Sequence, residues 1–211
     1  MTRMLLEVDA VVFDCDGVLV DSAASVTRSW RRWAAHFGLD EEAIIADAPG
    51  RPSREIAAVW VPSHRLAEAC ELIDAIEIDD AAGTESIPGA FELLASLPAD
   101  RWAVVTSAGR NLLRARIEAA GLPLPGVVVT SDDVAQGKPH PQGYALALRH
   151  LGVVGSRTVV FEDTVAGMTA ARDAGVGSIL RVGAGPRIAG EVAVVADLRQ
   201  VSWDGRLTVH P

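Results

Sequence analysis

The chain has 211 residues, of which 19 are Lys or Arg and 28 are Asp or Glu, and its formal net charge is −9 at pH 7. Hydrophobic residues make up 49% and aromatic residues 5%, which suits one large domain or a core with an inserted module. An acidic chain without basic runs argues against nucleic acid or an anionic membrane as partner. No apolar run is long enough to cross a bilayer and no signal-peptide pattern is present, so we expect a cytoplasmic protein.

The basic residues are unevenly divided, with 18 Arg and a single Lys, Lys138. GC-rich coding accounts for the ratio but not for the position of the one lysine. The two cysteines, Cys15 and Cys70, do not suggest a disulfide framework.

Short aliphatic runs, typical of strands buried on both faces, alternate with helical patterns along most of the chain. The predicted strands are Val8–Phe13, Trp102–Thr106, Val127–Thr130, Thr158–Phe161, Gly177–Val182 and Val192–Val195. The predicted helices between them are Gly89–Leu97, Asn111–Ala120, Pro141–Leu151 and Val165–Ala174. This alternation predicts an α/β fold with a doubly wound parallel sheet.

One long stretch interrupts the alternation and contains no convincing strand. An apolar stripe at helical spacing runs from Val26 to Phe37, and further helices are predicted at Arg54–Val61 and Arg65–Ile78. Packing within the insert explains this stripe more simply than a ligand site does. We therefore predict a helical insert at 22–86 on a core formed by 1–21 and 87–211.

The first strand leads into Asp14-Cys15-Asp16-Gly17, where two carboxylates two residues apart project to the same side. Their charges repel unless a cation lies between them. An Asp-x-Asp by itself also marks an ordinary solvated turn, but ligands of open α/β sheets bind beyond the carboxyl ends of the strands.

Later strands end in further polar groups. Thr106 and Ser107 precede a helix, where hydroxyls and free N–H groups can hold an oxyanion, although either residue could be a plain N-cap. Lys138 lies between turn residues and could be an unremarkable loop lysine, while Glu162-Asp163 could simply complement a helix N-terminus. Because all of these groups fall at one sheet edge, together they favour phosphoryl transfer with Mg²⁺.

In this order the motifs resemble those of the haloacid dehalogenase-like phosphohydrolases, with Asp14–Leu19 as the first motif, Thr106 as the second, Lys138 as the third and Glu162-Asp163 as the fourth. The resemblance implies a Rossmann-like core with a small helical cap between the first and second motifs, and a hinge at Val20-Asp21-Ser22. It also implies that Asp14 is the nucleophile and that Asp16 first protonates the leaving oxygen and then activates water.

The same resemblance implies that Thr106 and Lys138 hold the phosphoryl group. Asp14, the Asp16 carbonyl and Asp163 would bind Mg²⁺, with Glu162 assisting directly or through water.

Within the insert, Gly50-Arg51-Pro52-Ser53-Arg54-Glu55 resembles the specificity loop of the sugar-phosphatase and β-phosphoglucomutase subgroup. The predicted substrate-binding residues are Arg54, Ser107 and Gly50, though Arg54 could equally be a surface arginine at a helix start. The expected substrate is a small phosphate ester, a sugar or polyol phosphate, and the expected state is a monomer or homodimer.

Departures from the family pattern separate its activities. Asp16 argues against dehalogenation, and an insert without lysine excludes phosphonoacetaldehyde hydrolysis by Schiff base. The β-phosphoglucomutases carry a histidine where this chain has Val26, so hydrolysis is favoured over mutase activity. A phospho-receiver domain and a non-catalytic phosphate-binding protein are the alternatives from other functional classes.

Overall fold

Continuous runs of β-branched residues form the central sheet of the protein. A computed structural model describes residues 3–48, 50–184 and 190–210. The strands are β1 (Met4–Leu6), β2 (Ala10–Phe13), β3 (Val20–Asp21), β4 (Glu85–Ser86), β5 (Trp102–Val105), β6 (Val127–Val129), β7 (Thr158–Glu162), β8 (Ser178–Val182), β9 (Glu191–Val195), β10 (Val201–Trp203) and β11 (Leu207–Val209). The helices are α1 (Ala23–Phe37), α2 (Glu41–Asp47), α3 (Ser53–Trp60), α4 (Leu66–Asp80), α5 (Ala90–Ser96), α6 (Arg110–Ala119), α7 (Gln142–Leu151) and α8 (Val165–Asp173).

Six parallel strands form the main sheet in the order β6-β5-β2-β7-β8-β9. Every residue of β2, β5 and β7 is buried, because hydrophobic clusters cover both faces of the sheet. The predicted α/β fold with a doubly wound parallel sheet is confirmed, and all six predicted strands are present.

Helices α1–α4 share a hydrophobic cluster of their own, built around Trp30, Trp33, Ile44, Ile56 and Ile73. The aromatic stripe of α1 therefore serves helix packing, as its spacing indicated. Trp33 also donates its indole N–H to the carbonyl of Ala69, 2.9 Å away, which fixes α1 against α4.

A two-stranded antiparallel ribbon, β3 with β4, joins the helical insert to the main sheet. Val20 pairs with Ser86 and Asp21 with Glu85, so the two segments that connect the insert to the core run side by side. These short strands were missed in the sequence because two residues are too few to show an alternating pattern.

A further helix and a second sheet were also not predicted. Helix α2 begins after Asp40, whose carboxylate accepts hydrogen bonds from the N–H groups of Glu42 and Ala43. This capping pattern was present in the sequence. Strands β1, β10 and β11 form a separate antiparallel sheet, to which the distant ends of the chain both contribute.

Among the described residues, no helix is both long and apolar enough to span a bilayer. Cys15 and Cys70 are both free thiols, as the sequence indicated.

Candidate active site

Strand register brings the polar motifs together at one edge of the sheet. Phe13 at the end of β2 pairs with Phe161 of β7 and with Val104 of β5. The residues that follow, Asp14 and Glu162, are therefore neighbours. The sheet order accordingly places the first, second and fourth motifs side by side.

Asp14 and Asp16 both line the same cavity, whereas Cys15 between them is buried in the hydrophobic cluster of the core. The alternation expected from the sequence is thus observed. Gly17 follows with φ 77°, and a Cβ added there would lie 2.1 Å from the Asp163 carboxylate. Only glycine permits this close approach of the fourth motif to the loop after Asp16.

Lys138 reaches this edge from the loop before α7 and is 6% exposed. Its ammonium donates hydrogen bonds to Asp14 Oδ1 at 2.8 Å, to Glu162 Oε1 at 2.6 Å and to the carbonyl of Val105 at 3.2 Å. All three donor hydrogens of the amine therefore have acceptors. The single lysine of the chain holds the predicted nucleophile in place.

Glu162 has hydrogen bonds at both carboxylate oxygens. Oε1 accepts from Lys138 and from the Tyr144 hydroxyl at 2.8 Å, and Oε2 accepts from the N–H groups of Asp163 and Thr164 and from the Thr164 hydroxyl. With both oxygens so occupied, this carboxylate orients Lys138 and the loop before α8. A direct metal–Glu162 bond does not fit this arrangement.

Burial and mutual repulsion disturb the ionisation of the cluster. Burial, with the carboxylates of Glu162 and Asp163 nearby, raises the pKa of Asp14 well above its usual value although Lys138 opposes this. Burial and the Glu162 carboxylate raise the pKa of Asp163 to about 7. Burial works against the charge of Lys138, but Asp14 and Glu162 raise its pKa.

The donor set fits a hard divalent cation. Carboxylate oxygens of Asp14 and Asp163 lie within 4.8 Å of each other, with the hydrogen-bonded carboxylate of Glu162 beside them. Asp163 Oδ1 is buried and has no hydrogen-bond partner among the described residues. Mg²⁺ would bind such an unpartnered oxygen and would offset the repulsion between the neighbouring carboxylates.

The hydroxyls of the second motif do not cap the helix that follows. Thr106 Oγ1 accepts from the N–H of Ala108 at 3.0 Å, and Ser107 Oγ donates to the carbonyl of Gly50 at 2.9 Å. The N-cap of α6 is Gly109, without a side-chain bond. The plain N-cap interpretation of Thr106 and Ser107 is therefore wrong.

The cavity beside these groups measures about 260 Å³. Polar groups of the core loops line it, among them Asp14, Asp16, Ser107 and Asp163. Apolar side chains also line it, chiefly Val26, Trp30, Ile45 and Leu112. The helical insert therefore contributes apolar side chains to the cavity together with polar ones such as Ser53 and Glu77.

The specificity loop contributes Gly50, Arg51 and Ser53 to the cavity wall, whereas Arg54 is exposed at the start of α3 and does not line it. A Cβ on Gly50 would crowd Thr164 at about 3 Å, so a bare backbone lets the loop approach the core. Arg51, which is ion-paired with Asp47, is the loop arginine that faces the cavity. Substrate binding by Arg54 stays a prediction.

Two charged cavity residues were missed in the sequence, Arg116 of α6 and Glu77 of α4. Arg116 donates to the Asp16 carboxylate at 2.9 Å and to Glu77 Oε1 at 3.1 Å. Both lie on apolar helix faces, since Glu77 follows Ile73 by four residues and Arg116 follows Leu112 by four. A charge in an apolar stripe was the signal that could have revealed them.

The sequence model of the haloacid dehalogenase-like hydrolase family matches residues 8–175 of this chain. The chain belongs to this family. The match includes all four motifs and the helical insert, and it confirms the resemblance seen in the sequence.

Similar proteins cover most of the chain. Hexitol phosphatase A of Escherichia coli is 38% identical, over 78% of this chain and 78% of the relative. Glycerol-1-phosphate phosphohydrolase 2 of Saccharomyces cerevisiae is 34% identical, over 81% and 73%. The crystal structure of CbbY from Rhodobacter sphaeroides in complex with phosphate superposes with a TM-score of 0.78 at 25% identity, covering 90% of this chain and 95% of that one.

Proposed function

We propose that this hydrolase is a Mg²⁺-dependent phosphatase that cleaves a small phosphate monoester, a sugar or polyol phosphate, through an aspartyl-phosphate intermediate. The observation that carries the proposal is the Asp14 carboxylate, held by Lys138 at the wall of a cavity of small-molecule size. The relatives named for hexitol phosphate and glycerol 1-phosphate support the substrate class.

In the first step, an oxygen of Asp14 attacks phosphorus and the bond to the leaving oxygen breaks. Asp16 lies two residues further on the same side and donates its proton to the leaving oxygen, so that an alcohol departs. In the second step Asp16 takes a proton from water, which attacks phosphorus and restores the Asp14 carboxylate. The Thr106 hydroxyl would hold a phosphoryl oxygen through both steps, and Lys138 would hold another after giving up its longest contact, the one to the Val105 carbonyl at 3.2 Å.

Mg²⁺ fits the oxygen set of Asp14, Asp163 and the Asp16 carbonyl, where it would offset the negative charge that gathers on the phosphoryl group. Five buried or half-buried carboxylates, those of Asp14, Asp16, Glu77, Glu162 and Asp163, surround two cations, Lys138 and Arg116. This excess of negative charge supports the need for a metal when a phosphate anion binds.

The helical insert would supply specificity. We keep the division into a core, 1–21 and 87–211, and a cap, 22–86, as part of the proposal, and the ribbon of β3 and β4 at the two crossings supports it. The cap contacts the core at Gly50–Ser107 and through Glu55, which accepts from the N–H of Gly137 at 3.2 Å. A cap in this position excludes water from the leaving group.

Hydrolysis is preferred to mutase activity because Val26, at the position of the mutase histidine, forms part of the cavity wall. Because Val26 has no proton-transferring group at this position, it supports release of the alcohol rather than its rephosphorylation. The predictions of cytoplasmic location and of a monomer or homodimer stay predictions.

The test is phosphate release from a panel of hexitol, glycerol and deoxysugar phosphates, with p-nitrophenyl phosphate as a generic ester. Each is assayed with Mg²⁺ and with EDTA. We expect Mg²⁺-dependent release, fastest with a polyol or sugar phosphate, and background release from Asp14→Asn. Release no faster than that of Asp14→Asn with every ester would refute the phosphatase and leave a non-catalytic phosphate-binding protein.

A further inference from the structure

Arg116 is a buried cation that lines the cavity, and its hydrogen bonds join the core to the helical insert. It lies on α6 with 2% of its surface exposed. One nitrogen donates to the carboxylate of Asp16, on the loop after β2, at 2.9 Å. The other donates at 3.1 Å to Glu77 of α4, a helix of the insert.

The orientation of the Asp16 carboxylate follows from these contacts. Its Oδ1 accepts a 2.6 Å hydrogen bond from the Ser22 hydroxyl, and the guanidinium of Arg116 lies beside the same group. Asp16 follows Asp14 in the turn after β2, where an isolated β-bridge to Val20 fixes its backbone but leaves the orientation of its side chain to side-chain contacts. Ser22 and Arg116 are the partners that aim it into the cavity.

Glu77 is almost completely buried on α4, and its other hydrogen bond comes from the Ser53 hydroxyl at 3.2 Å. A glutamate that stays buried without a cationic partner is strongly unfavourable. Since α4 packs on α6, Arg116 satisfies both charges only while the cap lies on the core. Through Arg116, the position of the cap is therefore linked to the Asp16 carboxylate.

We propose that Arg116 is a positioning residue that, anchored by Glu77 of the cap, holds the Asp16 carboxyl in line with the leaving oxygen, so that proton donation requires the cap to be in place. This inference rests on the proposed phosphatase function. In this proposal Arg116 acts through Asp16, because its two terminal nitrogens donate to the carboxylates of Asp16 and Glu77, and the kinetic test below separates this role from direct binding of the substrate.

Esters that differ in leaving group separate this role from a structural one. p-Nitrophenolate departs readily without a proton, whereas phenolate and alkoxides need one. In Arg116→Met we expect kcat to fall by about 100-fold with phenyl phosphate and with the best polyol phosphate, and by less than about 10-fold with p-nitrophenyl phosphate. KM is expected to change little, and Arg116→Lys is expected to recover part of the loss.

The matched control is Arg181→Met, which removes another buried arginine, one that is paired with Glu191 and does not line the cavity. Its stability should fall, but the ratio of kcat between the two aryl esters should stay at the wild-type value. Equal losses with all esters in Arg116→Met, or the same change of ratio in Arg181→Met, would overturn the positioning role. So would a rise in KM at constant kcat, since that indicates a substrate ligand.

The link to the cap is tested with Glu77→Gln and the double variant. We expect Glu77→Gln to show the same leaving-group dependence with a smaller loss, and Arg116→Met/Glu77→Gln to lose no more than Arg116→Met alone. Losses that multiply would show that the two residues act separately and would overturn the link. Failure of the wild type to hydrolyse any ester would instead refute the phosphatase function.

Discussion

Two buried cations organise the two acids of the first motif in different ways. Lys138 joins Asp14 to Glu162, and all three residues belong to the sheet and its loops. Arg116 joins Asp16 to Glu77, so that one of its partners comes from the helical insert. The acids lie only two residues apart, yet the first is held within the core and the second is held across its boundary with the cap.

The different partners of Asp14 and Asp16 suit different catalytic requirements. In the proposed mechanism the nucleophile, Asp14, needs a constant position, which the parallel strands and the fully hydrogen-bonded Glu162 would provide. The proposed proton donor, Asp16, needs to work only when a substrate is enclosed, and Glu77, the second partner of its arginine, belongs to the helical insert. A compact amine suits the first place, because it meets three acceptors from one point, and a guanidinium with two separated donor ends suits the second.

The largest effect is expected at Asp14. Asp14→Asn removes the attacking oxygen and should lower kcat at least about 10⁴-fold for every ester, measured as phosphate release with Mg²⁺. Asp9→Asn is the control, since Asp9 precedes the same strand but pairs with Arg157 at the surface. A retained phosphorylation of the Asp14→Asn protein would show that a different residue is the nucleophile.

Removing the core cation comes next. Lys138→Met leaves Asp14 and Glu162 buried without their shared partner, so we expect a stability loss of about 3–5 kcal/mol in urea unfolding. Its kcat should fall about 10³-fold. Lys138→Arg keeps the charge but places it differently and should be more stable than Lys138→Met while still impaired. Wild-type kcat in Lys138→Arg would contradict the requirement for a compact amine.

The excess of carboxylates around Asp14 and Asp163 can be tested by how the stability of the protein depends on pH and on Mg²⁺. The pKa of Asp163 is raised to about 7 in the folded protein, against 3.8 for the unfolded chain. Between these two pH values the folded state therefore binds one proton that the unfolded state does not. The free energy of unfolding of metal-free protein should therefore fall as pH rises from about 4 to 7, by up to about 4 kcal/mol.

Mg²⁺ at pH 7 should restore stability, by about 2.7 kcal/mol at 100 times its Kd, as measured by thermal unfolding. In Asp163→Asn both the pH dependence and the response to Mg²⁺ should shrink. An equal response to Mg²⁺ in that variant would place the cation elsewhere.

The smallest effect concerns the cap. Arg51→Ala removes a charge from the cavity wall and should raise KM for a polyol phosphate about 10-fold, with little change for p-nitrophenyl phosphate. Arg54→Ala, at an exposed position, should change KM less. Initial-rate kinetics on the two esters decide between them, and a larger effect in Arg54→Ala would favour the specificity role predicted from the sequence.

The sequence determined the α/β fold, the six strands of the sheet and the polar groups at its edge. It could do so because each strand is a continuous apolar run and each motif follows its strand directly, so local pattern and function share one segment. The presence of a helical insert was readable for the same reason, since about eighty residues of mostly helical pattern interrupt the alternation.

Only the tertiary structure decided which charges meet. Arg116 and Glu77 are separated by 39 positions in the chain, and neither belongs to a recognisable motif. Likewise β1 and β11 pair across the whole length of the protein, and Arg51 rather than Arg54 faces the cavity. Pairing over such distances depends on how helices and strands pack, which local periodicity does not encode. The single lysine was visible in the composition from the start, but its two carboxylate partners became known only from the fold.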